Sequence, residues 1–348
     1  MEARTLFIKA SRITESTLDP VHIARNKSAN VETTISLDTN MLISMEKVVK
    51  HGNKWASVKK QGLHNLVKLL HRCPPQSVCL SPGLALSEMP PELARQASDA
   101  YEIFCAQHLP QFIDTPNAVH TLFQGKKEDY GYDDLSSDAK VTLAVPYASL
   151  IYLNVADRMK LKPFDKFKWF IDNLEAHVDI LSATEIEIAK YCFAEPDAHS
   201  RETIELRRKV RNNFLKTGEE KLPTTVADVK AIAFNGASDI RLLHAANITD
   251  QNGLDGVPQD CWIATKDKKL VDFCSVFHHL KTDGEAGKYA AKVVHAEHVD
   301  DHYWLNVDRY AIERVMQRSH HHDKREIDHR QLLNAVDSAL SAATLAFG

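Results

Sequence analysis

One short segment limits what this chain can fold into more than any other. Residues 34–44 read TISLDTNMLIS: an apolar, β-branched run stops at an acid, Asp38, and gives way to a helical pattern beginning near Met41. A buried strand that ends on a charge and turns at once into a helix is the opening half of an α/β unit. Residues 54–70 then carry Leu63, Leu66, Val67 and Leu70 on one helical face, Pro74 and Pro75 break the pattern, and SVCLSP supplies another short apolar strand. Strand, helix, strand predicts a central parallel sheet, because parallel neighbours need a crossover between them.

From Pro90 to about Pro223 the texture is helical only, with Ser182 and Glu185 spaced as a capping box and VTLAVPYASLIYLNVA apolar on nearly every side, a helix buried among others with Pro146 starting or kinking it. The α/β texture returns in the helix VADVKAIAFNGASDIRLLHAANI and the strand DCWIATKD, with a further short strand expected at residues 292–296. Near the C-terminus, QLLNAVDSALSAATLAF puts Leu332, Leu333, Val336, Leu340 and Leu345 on one side of an Ala-rich helix, a face that must bury against this chain or a partner. The expected division is a discontinuous α/β domain (1–90 and 224–300), a helical insertion or lid (91–223) and a C-terminal helical extension (301–348).

Composition narrows the function. With 43 basic and 47 acidic residues the formal charge is −4, so no global field draws in a polyanion, and any nucleic-acid contact must come from local basic patches. Six scattered cysteines without a C-x-x-C pair point to a reducing compartment without structural zinc. The start lacks a continuous apolar leader, and no stretch reads as the roughly 18 uncharged apolar residues of a membrane span, so the expectation is a cytoplasmic protein that does not enter a membrane.

In an open parallel sheet the carboxyl ends of the strands converge on a crevice where ligands bind. Asp38 takes that position on the first strand and Asp267 on CWIATKD. Two carboxylates at adjacent strand ends repel unless a cation joins them, and hard oxygen ligands suit Mg²⁺ or Mn²⁺.

These residues resemble a known family. LDTNMLI, with Asp38 and Asn40, is similar to the opening signature of PIN domains. LSEM, with Glu88, resembles their second acidic position, NGASDIRLLHAA, with Asp239, their third, and ATKDKKL, with Thr265 and Asp267, their closing turn. The likeness covers roughly residues 33–90 and 226–275. It implies a PIN-like three-layer fold and a metal-dependent ribonuclease, or a DNA nuclease, in which Asp38, Glu88, Asp239 and Asp267 hold one or two metal ions that activate a water. Asn40, Thr265, Lys266 and Lys268 would orient ligands or a phosphate. The long stretch between Glu88 and Asp239 departs from a compact PIN domain and requires the helical block to be an insertion.

Each acid also has a plainer reading, as a helix cap or a solvated turn residue. Lys47 and Lys50 follow the site on its first helix, and Arg207, Arg208, Lys209 and Arg211 form a basic stripe that could track a nucleic-acid strand. The helical block or C-terminal helix could also join a second copy or a protein partner. The rival reading is a PIN-like scaffold that binds RNA or protein without cutting.

Overall fold

The computed structural model describes residues 4–12, 17–112, 130–195, 201–216, 222–276, 279–280, 301–321 and 328–348. It is a mixed α/β protein. The first half runs β1 (Leu6–Ile8), β2 (Ser11–Arg12), α1 (Pro20–Ser28), β3 (Glu32–Leu37), α2 (Thr39–Lys50), α3 (Trp55–Lys60), α4 (His64–His71), β4 (Val78–Ser81), α5 (Gly83–Ser87) and α6 (Pro91–His108). The second runs α7 (Ser137–Arg158), α8 (Pro163–Asn173), α9 (Ala183–Phe193), α10 (Arg201–Phe214), α11 (Val226–Asn252), β5 (Gln259–Thr265), α12 (Lys268–Val276), β6 (His279–Leu280), α13 (His302–His321) and α14 (His329–Phe347). The strand expected at residues 292–296 lies outside the described residues.

Two compact units divide the chain, one built on Met1–Ser136 and Leu242–Cys274, the other on Ser137–Arg241 together with α13 and α14. This division falls elsewhere than the sequence suggested. Helix α6 belongs with the sheet, because it packs on α2, where Gln96 donates a hydrogen bond to the buried Glu46. The C-terminal helices group with the helical block rather than standing apart.

The first unit holds a four-stranded sheet in the order β1-β5-β3-β4. Strand β3 is parallel to both neighbours, and β1 runs antiparallel to β5, so the sheet is mixed rather than wholly parallel. Every residue of β5 is buried, as a central strand covered on both faces requires. Ile35 and Leu37 of β3 share one apolar core with Met41, Leu42 and Met45 of α2, Leu66, Val67 and Leu70 of α4, Leu93 and Ala97 of α6, and Trp262 of β5. The single helix expected over residues 54–70 is two, α3 and α4. They part at Gly62, whose φ of +71° favours glycine and whose carbonyl accepts from both the backbone and the hydroxyl of Thr5.

The second unit is all helical. Helix α7 lies at its centre, in contact with α8, α9 and α14. By length and composition α7 is apolar enough to cross a membrane, contrary to the expectation that no stretch would be, yet 78% of that apolar window is buried inside the protein, which fits a core helix. Pro146 lies within α7 rather than at its start. Helix α14 does bury a face, but Ala335, Ala339 and Ala343 carry it beside Leu332 and Val336, while Leu345 is 90% exposed. Small residues permit the close approach of α14 to α7 that a row of leucines would prevent. The expected capping box at Ser182 does not form: Ser182 occupies the N-cap of α9 without a capping bond, and its hydroxyl donates to the Glu185 carboxylate instead.

Candidate metal centre

Strand β3 lies between β5 and β4, so the turn after it faces the turns after both neighbours. The register sets Leu37 beside Ala264, and the Asp38 backbone N–H donates to the Ala264 carbonyl at 3.0 Å. Asp38 therefore leaves the sheet next to Thr265, the last residue of β5, with Asp267 two residues beyond.

Asp38 occupies the N-cap position of α2, but its side chain makes no capping hydrogen bond. Two side chains hold it instead, and both donate to Oδ2: the Asn40 amide at 2.5 Å and the Thr265 hydroxyl. Thr265 is fully buried, and its oxygen accepts from the Asp267 backbone N–H at 2.9 Å, which directs its own proton toward Asp38. Asn40 Oδ1 accepts from the Lys266 backbone N–H at 2.9 Å, so its Nδ2 must face Asp38. Among the described residues, no side chain donates to Asp38 Oδ1 and no Lys, Arg or His pairs with this carboxylate. Burial pushes the Asp38 carboxyl above the usual carboxylate range. The neighbouring Asp267 charge adds to that push, against the hydrogen bonds from Thr265 and Asn40.

Asp267 itself accepts from the Lys269 backbone N–H at 2.7 Å and so also caps the start of α12. Glu88 is buried at the end of α5, where its Oε2 accepts from the Thr39 hydroxyl at 2.7 Å. It thus contacts the residue next to Asp38. Burial and the Glu88 charge together raise the Tyr130 hydroxyl above its ordinary value, so Tyr130 stands near the same acid. Among the described residues, no group of three or more His, Cys, Asp or Glu side chains is gathered closely enough to hold a metal ion.

Asp239 lies in α11, in the part that belongs to the helical unit. The basic residues separate by role. Lys268 is exposed, whereas Lys266 is half-buried and its Nζ donates to Ser44 Oγ at 2.8 Å. Burial, and then the charge of Lys47, lower its pKa. The basic stripe of α10 is spent largely on structure: Arg211 makes a two-pronged pair with Asp157 at 2.8 and 3.0 Å, Arg207 donates to the Ala194 carbonyl and Arg208 to Glu205.

Sequence reasoning passed over Thr39, Ser44 and Tyr130. Thr39 and Ser44 carried a signal, since one adjoins Asp38 and the other lies a turn beyond Asn40 on α2; Tyr130 carried none.

A second polar cluster gathers toward the opposite ends of the same strands. Lys9 pairs with Asp250 at 2.6 Å and Asp260 at 2.7 Å, and Asp260 also accepts from His22, Asn26 and the Trp262 indole, each at 2.8 Å. Burial alone would raise the Asp260 carboxyl, but the charge and hydrogen bond of Lys9, with the hydrogen bonds from Trp262 and His22, hold it below the usual range.

No family model, curated protein or solved structure matches this chain.

Proposed function

We propose that this chain is a PIN-like, metal-dependent nuclease that hydrolyses phosphodiester bonds, with RNA as its substrate, and that Asp38 and Asp267 are its central acids. One observation carries the reading: a carboxylate raised in pKa and fixed by two neutral donors, with no basic partner among the described residues, lies within electrostatic reach of a second carboxylate just past the adjacent strand. A structural acid in such a place would ordinarily be paired with a cation or solvated.

The donor set fits a hard divalent cation. Mg²⁺ keeps several waters and is commonly held by one or two carboxylates plus substrate phosphate oxygens, so the Asp38 and Asp267 pair meets its needs without a third acid. Bound there, Mg²⁺ or Mn²⁺ would supply an activated water and neutralise charge on the scissile phosphate. The chain's own residues set the geometry: Thr265 and Asn40 fix Asp38 Oδ2 and leave Oδ1 toward the ligand, while Glu88, through Thr39, adds negative charge close by.

The test is incubation of the full chain with fluorogenic single-stranded RNA and DNA in Mn²⁺, Mg²⁺ or EDTA, alongside Asp38→Asn. Metal-dependent cleavage that the variant lacks supports the reading. Binding without cleavage in any metal overturns it in favour of a scaffold that holds RNA without cutting.

A further inference from the structure

Beside the acid pair stands a pair of cations with no carboxylate partner among the described residues. Lys266 directly follows β5, and its backbone is tied to Asn40, which directs its side chain along α2 to Ser44. The Ser44 hydroxyl gives its proton to the Asn40 carbonyl at 2.7 Å and therefore accepts from the Lys266 ammonium. An ammonium has three donors, and this bond uses one. Lys47 lies three residues beyond Ser44 on α2, on the same face of the helix as the hydroxyl that holds the Lys266 ammonium. Neither lysine forms an ion pair among the described residues. Two lysines elsewhere in this unit are neutralised by acids: Lys50 pairs with Glu46 at 2.6 Å, and Lys9 is shared by two aspartates.

Two like charges held together around a half-buried ammonium repel, and an anion that bridges them removes that cost. We propose that Lys266, Ser44 and Lys47 form a seat for a backbone phosphate of single-stranded nucleic acid, placed to hold the strand as it enters the acid pair. This rests on the nuclease reading for the identity of the anion. A phosphodiester suits the seat because its two free oxygens can take both ammonium groups at once. The half-buried Lys266 is open to a flexible single strand more readily than to a rigid duplex. The seat also divides the lysines that flank the acids: Lys266 and Lys47 bind the strand, and the exposed Lys268 is a solvated neighbour.

The experiment measures fluorescence anisotropy of labelled oligo-uridylate with the full chain in EDTA across a salt series, for wild type, Lys266→Gln, Lys47→Gln, the double variant and Lys59→Gln on α3. Removing one lysine–phosphate pairing lowers the slope of log affinity against log salt by about 0.7 for a single strand. Lys266→Gln and Lys47→Gln should each show that decrease, the double variant about twice it, and Lys59→Gln none; Lys266→Arg should keep the wild-type slope. Oligo-thymidylate should behave alike, since the seat takes the phosphate. Unchanged slopes in both single variants overturn the seat, as does a wild type that does not bind in EDTA. Lys47 is exposed, so its variant decides the matter even if Lys266→Gln does not fold. Failure of the nuclease reading shows separately, as a wild type that binds the probe but never cleaves it in Mn²⁺ or Mg²⁺.

Discussion

The backbone N–H of Lys266 donates to the side-chain carbonyl of Asn40 across the ends of β5 and β3, and that bond decides which way the Asn40 amide faces. With its oxygen taken, Asn40 can offer Asp38 only a donor. A side chain that looks like a helix-start residue in the sequence is therefore the part that orients the central acid.

Asn40→Asp tests this orientation. The new carboxylate keeps the acceptor for Lys266 but sets an oxygen where Asp38 needs a hydrogen, so the folded state should lose about 1–3 kcal/mol at neutral pH. Urea melts of both proteins check the loss, which should shrink in acid as one of the two carboxylates takes a proton.

Asp38→Asn should act in the opposite sense. Because the folded protein raises the Asp38 pKa, the favourable contribution of this group is complete below its ordinary value near 3.8 and is lost as pH rises through the folded value. At neutral pH without metal the variant should be as stable as wild type, or more stable by about 1 kcal/mol, with the gap closing in acid. Thermal melts with EDTA and with Mn²⁺ measure it. The variant should also gain less from metal, since ligand stabilisation requires an intact site. A variant that is less stable in EDTA and keeps its full metal response would make Asp38 a structural residue.

Asp260→Asn should reverse that pH trend. The folded protein depresses the Asp260 pKa, so its contribution is present above the unfolded value and fades as pH falls through the folded one. Breaking this buried pairing should cost about 3 kcal/mol at neutral pH. Denaturation midpoints taken from neutral pH into the acid range should converge with those of wild type at the acid end.

Arg211→Lys should weaken the helical unit without touching nucleic-acid affinity. A lysine cannot reproduce the two-pronged grip on Asp157 or also reach the Cys192 carbonyl, a loss of about 1–2 kcal/mol. Parallel melting and anisotropy measurements check it; a large fall in RNA binding by a folded variant would make α10 a nucleic-acid surface after all.

How much of the fold and site was legible in the sequence depended on distance along the chain. Asp38, Thr265 and Asp267 announced themselves because each lies where an apolar run stops and a helix begins, which is a local pattern. Strand β1, three residues long, has no periodicity to read. The Lys9 and Asp260 pair joins residues 251 apart, and nothing local to either predicts the other. Two residues of the α10 stripe are held in a way nothing local announces: Arg211 meets Asp157 and the Cys192 carbonyl, and Arg207 the Ala194 carbonyl. The break between α3 and α4 was available at Gly62, but only its backbone conformation shows that the glycine ends a helix.

The strand order has a consequence for how the protein is made. Strand β5 lies between β1 and β3, so two strands near the start of the chain have no partner on their inner edges until residues 259–265 have left the ribosome. A nascent chain must therefore carry β3, the strand that ends at Asp38, with an open hydrogen-bonding edge through most of its synthesis. Such long-range pairing slows folding and leaves edges able to stick to one another. Asp38 then meets Thr265 only late in synthesis, and a polypeptide stopped before β5 has neither a complete sheet nor the hydroxyl that holds this carboxylate.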